Sequence, residues 1–241
     1  MNKLISSIGV ALIALSIFSG AKSSNFGNGT IPAPKRLLVI GDSLTNGLYA
    51  TAELNTFVSI VSKNTDMPTA RRAAATLRDA IPLWTNLKAW QPDVVVIELG
   101  INDINGRQWN AQWKKDYQAL VEDIQATGAR VVICTTFWIG IDDQNPIYAL
   151  HAGLNNDIRD IARQTGATLA DLWIATEGCA ECVSTPDVIS YFAPHHHGDN
   201  MHPSDAGHAA IARVVTDAIN GVSASGTTRK TYYLPFVANG E

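Results

Sequence analysis

Apolar runs of strand length alternate along this chain with longer stretches of helical period, and this alternation narrows the choice of fold more than any other feature. It is the pattern of an α/β protein with a parallel sheet, because parallel strands need a crossover and a helix is the usual one. Strands are expected at Arg36–Ile40, Asp93–Leu99, Arg130–Thr136 and Ala167–Asp171, with a weaker edge strand near Met67–Arg71. Helices are expected around Ala73–Trp90, Ala111–Thr127, Ile147–Thr165 and Asp205–Ile219. Gly128 and Gly166 stand just past two of them, where a left-handed residue commonly ends a helix. No repeat or interior linker breaks the run, so residues 36–221 read as one domain.

The two ends read differently. Lys3, the mostly apolar run Leu4–Phe18 and the small residues Ser19-Gly20-Ala21 have the layout of a secretory signal peptide, which assigns residues 1–21 to export into a secreted, periplasmic or extracellular setting. A membrane span wants about 20 apolar residues, so no stable insertion is expected. Residues 22–35 form a lead-in and residues 222–241 a tail, rich in Ser, Gly and Thr up to Arg229 and apolar again over Tyr232–Val237. The remaining chain, about 220 residues after export, suffices for one sizeable core. With a formal charge of −4 and scattered Lys and Arg, it offers no basic surface for nucleic acid.

An exported chain with three cysteines cannot pair them all internally. Cys179 and Cys182, in the loop-like Glu177-Gly178-Cys179-Ala180-Glu181-Cys182, are the expected disulfide. A thioredoxin-like redox pair would open a helix after an early strand, whereas this one follows a late strand. Cys134, inside Val131-Val132-Ile133-Cys134, reads as a buried strand thiol.

Three short segments carry the chemistry. Ser43 follows the strand Leu37–Ile40 through Gly41-Asp42, and in an open parallel sheet the ligand crevice lies at the carboxyl ends of strands. Asn102, in Gly100-Ile101-Asn102-Asp103, follows another strand, and a neutral amide there could donate to a developing oxyanion. Asp199 and His202 stand three apart just before the last helix, close enough for the carboxylate to fix the imidazole tautomer and leave the other ring nitrogen to take a proton. Each has a plain structural alternative: Ser43 a helix cap, Asn102 a turn residue, Asp199 part of a capped helix start.

Taken together, Gly41-Asp42-Ser43-Leu44, Gly100-Ile101-Asn102-Asp103 and Asp199-Asn200-Met201-His202-Pro203 resemble, in order and spacing, the GDSL or SGNH hydrolase superfamily. The resemblance spans about residues 36–220 and implies a three-layer flavodoxin-like fold, a central parallel sheet flanked by helices. It implies a serine carboxylic ester hydrolase with Ser43 as nucleophile, His202 as base and Asp199 as the residue orienting it, and with Ser43, Ala74 and Asn102 forming the oxyanion hole. Ala74 stands where the family usually has glycine; alanine keeps the N–H but disfavours a positive φ. Thr45 occupies the position of the second glycine of a G-x-S-x-G elbow, so the segment is not that of an α/β-hydrolase.

The partner implied is a small-molecule ester, and neither metal nor organic cofactor is required. His195, His196 and His197 read as a solvated loop lining the site, because three consecutive histidines cannot all face one ion. Trp109 and Trp138 follow expected strand ends and are candidate pocket walls for an acyl chain or sugar ring. Between the motif segments no large insertion could build a lid or a deep tunnel, which favours short-acyl esters, acetylated saccharides among them. Lysophospholipase, thioesterase or acyltransferase activity would use the same groups, and a non-catalytic binding protein of this fold is the alternative from another class.

Overall fold

The structure is a computed structural model describing residues 35–141, 144–187, 198–199 and 201–221. The expected signal peptide, all of the lead-in but Lys35, His195–His197 and the tail lie outside the described residues.

Five parallel strands form one sheet in the order β2-β1-β3-β4-β5: β1 Leu37–Gly41, β2 Thr69–Ala73, β3 Val94–Glu98, β4 Arg130–Cys134 and β5 Thr168–Ala170. The helices are α1 Ser43–Asn46, α2 Phe57–Thr65, α3 Leu77–Leu87, α4 Ile101–Asn105, α5 Ala111–Gln125, α6 Pro146–Thr165, α7 Leu172–Thr176 and α8 Asp205–Asn220. The four expected strands and the weak edge strand are all present, with ends shifted by one or two residues.

The central strands read as unbroken apolar runs because both faces of the sheet are covered. Leu38, Ile40, Val95, Ile97, Val131 and Ile133 pack into one core with α3, α5 and α6. Their neighbours Leu37, Val39, Val94, Val96, Val132 and Cys134 pack into a second core with α2 and α8. Leu37 through Ile40 are wholly buried, each contributing about 1.5–3 kcal/mol, so a charged residue anywhere in β1 would break the sheet at its centre.

The expected helix Ala73–Trp90 starts later. Ala73 closes β2, and a capping box at Thr76, whose N–H donates to Asp79 Oδ2 at 3.1 Å, opens α3 at Leu77. Lys88–Trp90 continue as a 3₁₀ turn. The sequence also conceals α2, where Val58, Ile60, Val61 and Thr65 are poor helix formers. Packing of Phe57, Val58 and Val61 against α8 overrides that preference, and Thr56 Oγ1 caps it by accepting the Ser59 N–H at 3.2 Å. Gly128 and Gly166 adopt positive φ of 89° and 72°, as expected past α5 and α6.

The chain leaves β1 for β2 on one side and returns to place β3 on the other. That reversal opens a crevice beyond the carboxyl ends of β1 and β3, where α1 and α4 begin.

Candidate active site

At the end of β1, Asp42 caps α1 by accepting the Leu44 N–H on Oδ1 at 3.0 Å, which fixes Ser43 at the first helical position. Ser43 Oγ lies 2.9 Å from His202 Nε2, a contact across 159 residues of sequence. The other ring nitrogen, His202 Nδ1, meets Asp199 Oδ2 at 2.7 Å. Asp199 Oδ1 also accepts the N–H groups of Met201 at 3.0 Å and His202 at 2.9 Å, so the turn locks the carboxylate beneath the ring. Burial raises the pKa of Asp199, but these two N–H donors and the imidazole outweigh it and hold the carboxyl below its ordinary range. An ionised Asp199 selects the tautomer with a proton on Nδ1, leaving Nε2 to accept from Ser43.

Asn102, in the first turn of α4, reaches the same crevice. Its Nδ2 donates to the Ala75 carbonyl at 2.9 Å and stands 3.5 Å from Asp42 Oδ2. The second contact is too long to be a strong bond, so one amide proton is loosely held.

Ala74 departs from the expectation. Its N–H donates to the Gly41 carbonyl at 2.8 Å, prolonging the β1–β2 ladder by one bond, and the residue is buried. Its φ is not positive, so Cβ causes no strain, but the donor is already engaged. The N–H groups of Ala75 and Ser43 have no acceptor among the described residues. No sequence signal distinguishes Ala74 from Ala75, since the choice depends on where the ladder stops.

The two tryptophans are partly exposed, and both indole N–H groups are engaged. Trp109 Nε1 donates to Asp157 Oδ2 at 3.0 Å with its ring against Gly153 of α6, while Trp138 Nε1 donates to the Ile141 carbonyl at 2.8 Å. As pocket walls they could offer only ring surface.

Sequence reasoning missed what braces the histidine. The buried ring of Tyr49, whose residue has a φ of 64°, lies edge-on to His202 with centroids 5.3 Å apart. Its loop is tied to α8 where Asp205 accepts from the Thr51 N–H at 2.8 Å and from Asn55 Nδ2 at 2.9 Å. On the other flank Cys179 and Cys182 are joined in a disulfide, and Cys134 is a buried free thiol, both as expected. The Ser204 N–H donates to the Cys182 carbonyl and the Ser184 N–H to the His202 carbonyl, each at 2.8 Å, so the disulfide segment supports the chain that carries His202. Among the described residues no cluster of three metal-ligating side chains occurs, and no helix is long and apolar enough to cross a membrane.

The sequence profile of the GDSL-like lipase/acylhydrolase family matches residues 39–210, a span that takes in Ser43, Asn102, Asp199 and His202. The chain belongs to this family. No curated relative matches it. Among solved structures it is similar to LAE5, an α/β hydrolase enzyme from the metagenome of Lake Arreo, at 21% identity and a TM-score of 0.60, over 78% of this chain and 96% of that one. It is similar to the acetyl xylan esterase AlAXEase at 21% identity and 0.59, over 76% and 99%. The acetylxylan esterase Axe2 from Geobacillus stearothermophilus aligns at 22% identity and 0.59, over 77% and 94%. At these identities the likeness is one of fold, and it extends to the five-stranded parallel sheet with its flanking helices. As a GDSL-family member, the protein is a carboxylic ester hydrolase.

Proposed function

We propose that this GDSL-family esterase is an exported serine enzyme that hydrolyses small or short-acyl esters, acetylated saccharides among them, through an acyl-enzyme on Ser43. The observation that carries the reading is the relay from Ser43 Oγ through His202 to Asp199, with contacts of 2.9 and 2.7 Å. Attack by Ser43 on the ester carbonyl passes its proton to His202 Nε2, and Asp199 stabilises the imidazolium that forms. The tetrahedral oxyanion then takes donors from the Ser43 N–H, the loosely held amide proton of Asn102 and the N–H of Ala75, in place of the engaged Ala74 N–H. His202 returns the proton to the leaving alcohol. A water deprotonated by the same base then frees the acid.

The short-acyl part is supported by short connections around the crevice and by the names of two structural neighbours, both acetylxylan esterases. Catalytic mutants of one of these neighbours replace a serine, a histidine and an aspartate, the same residue types as Ser43, His202 and Asp199. Export is supported by the leader-like residues 1–21 and by the disulfide, which fits an oxidising compartment.

The test uses mature protein. A fluorophosphonate probe should label Ser43 by mass spectrometry, and Ser43→Ala should abolish both labelling and turnover without unfolding the chain. In an open crevice each added methylene gains well under about 0.8 kcal/mol, so kcat/KM should peak at short acyl lengths. A label elsewhere would overturn the nucleophile, and a steady rise in kcat/KM toward long acyl chains would overturn the short-acyl substrate while leaving the nucleophile standing.

A further inference from the structure

Next to the Asn102 amide stands a buried carboxyl that ester hydrolysis by Ser43, His202 and Asp199 does not use. Asp103 shares the first turn of α4 with Asn102 and is almost wholly covered. An aspartate in the first turn of a helix ordinarily serves the N-terminus of that helix, but this one serves another. Its Oδ1 accepts the N–H of Leu77, the first residue of α3, at 3.2 Å, and its Oδ2 lies 3.4 Å from the same nitrogen. The first N–H of α3 thus takes its acceptor from α4. Burial raises the pKa of Asp103 and Asp79 adds to the rise, while the Leu77 N–H, the Trp113 indole of α5 and the N–H of Asp103 itself oppose it.

That contact completes a set of tethers around one short segment, Ala74 to Leu77. The Ala74 N–H donates to the Gly41 carbonyl at 2.8 Å, the Thr76 N–H to Asp79 Oδ2 at 3.1 Å and the Leu77 N–H to Asp103. Of the four N–H groups only that of Ala75 has no acceptor among the described residues, and Ala75 is exposed. The Ala75 carbonyl accepts from Asn102 Nδ2 at 2.9 Å. Adjacent residues of one α4 turn therefore hold the segment at two points, Asn102 at Ala75 and Asp103 at Leu77. The turn is itself closed by the Asp103 carbonyl, which accepts the Gln108 N–H at 2.7 Å and the Trp109 N–H at 3.2 Å.

We infer that Asp103 is a positioning residue for the hydrolysis proposed above: by holding the Leu77 N–H it keeps the Ala75 N–H beside the Asn102 amide, so that both donors meet one oxyanion. The bond from Ala74 to Gly41 fixes the segment on the side of β2, and the bond from Leu77 to Asp103 fixes it on the side of α3. The peptide that carries the Ala75 N–H lies between them. Without the Asp103 acceptor, the segment on the α3 side of Ala75 would lose its tie to α4 and shift relative to Asn102. An oxyanion donor acts at about 2.7–3.1 Å, and a misplacement of about 1 Å can cost about 10²-fold in rate.

The inference rests on Ser43 being the nucleophile and on the oxyanion donors proposed with it, and the test separates these. Asp103→Asn keeps an acceptor for the Leu77 N–H, whereas Asp103→Ala keeps none. We expect Asp103→Asn to remain within about threefold of wild-type kcat, and Asp103→Ala to lose about ten- to a hundredfold in kcat with KM within about twofold. A second pair removes the same bond from its other end. Leu77→Ala and Leu77→Pro both lose the buried side chain, but only proline, which the first position of a helix tolerates, also loses the N–H. Leu77→Pro should therefore fall in kcat as Asp103→Ala does, while Leu77→Ala stays within about threefold of wild type, although both unfold at lower urea than wild type. Equal kcat in the two Asp103 variants would overturn the role of Asp103, and so would equal kcat in the two Leu77 variants even if Asp103→Ala fails to fold. Failure of the wild type to be labelled at Ser43 would overturn the esterase mechanism instead, and full kcat in Asn102→Ala the oxyanion donors.

Discussion

Replacing His208 with glutamine should remove about 3 kcal/mol of acid sensitivity from the fold, because this wholly buried imidazole has room for only one protonation state. Its Nε2 lies 3.1 Å from the Leu48 carbonyl, where it must donate, and its Nδ1 accepts the Phe57 N–H at 3.4 Å. A proton on Nδ1 would face that N–H donor to donor. Burial therefore pulls the pKa from 6.5 to about 4, helped by His202 and Arg71 and opposed by the Leu48 carbonyl and Asp205. Above pH 6.5 neither folded nor unfolded chain binds this proton. Between 6.5 and about 4 only the unfolded chain binds it, so stability falls as pH falls, and below about 4 both bind it and the effect levels off. At 1.36 kcal/mol per pH unit the whole window is worth about 3 kcal/mol. His151, also lowered to about 4 by burial, acts in the same direction, while the raised carboxyls of Asp42 and Glu98 act in the opposite one. The wild-type curve mixes these contributions, so the observable is a difference. Glutamine can donate to Leu48 and accept from Phe57 without titrating. Urea unfolding followed by tryptophan fluorescence should show the stability of wild type relative to His208→Gln dropping by about 3 kcal/mol from pH 7 to about 4. A difference constant across that range would refute the reasoning. Leu48 and Phe57 bracket the loop that carries Tyr49 to His202, so activity at acid pH should survive better in the variant.

Asn102→Ala should lower kcat by roughly 10²–10³ with little change in KM, since an oxyanion donor acts mainly in the transition state; steady-state kinetics on a soluble acetyl ester checks it. Asp199→Asn should cost kcat on the order of 10³–10⁴ and slow phosphonylation of Ser43 in parallel, because the amide no longer imposes the productive tautomer of His202. Replacing Cys179 and Cys182 by serine opens a ring of four residues, which the chain-entropy relation makes worth about 2 kcal/mol, measurable as a lower urea midpoint. Turnover should fall as well, since the Cys182 carbonyl supports the segment from His202 to Ser204.

Much of this protein was written locally and could be read locally. The continuous apolar runs became the inner strands because burial on both faces is a property of those residues themselves, and the close cysteine pair needed only a loop to join. The order of Ser43, Asn102 and the Asp199–His202 turn was also legible, since each follows a strand or precedes a helix. Tertiary structure decided whatever depended on which strand lies beside which. The order β2-β1-β3 brings Ser43 to His202 across 159 residues and extends the β1–β2 ladder far enough to engage the Ala74 N–H. It also turns Glu98, which by sequence is only the polar end of an apolar run, into a buried carboxyl that accepts from the Thr45 hydroxyl. Helix α2 came from packing against α8, and the neutral state of His208, which α8 carries, from burial against Leu48 and Phe57. Local preferences act within a turn or two of chain, whereas desolvation and the competition for hydrogen-bond partners are settled only when distant segments close on one another.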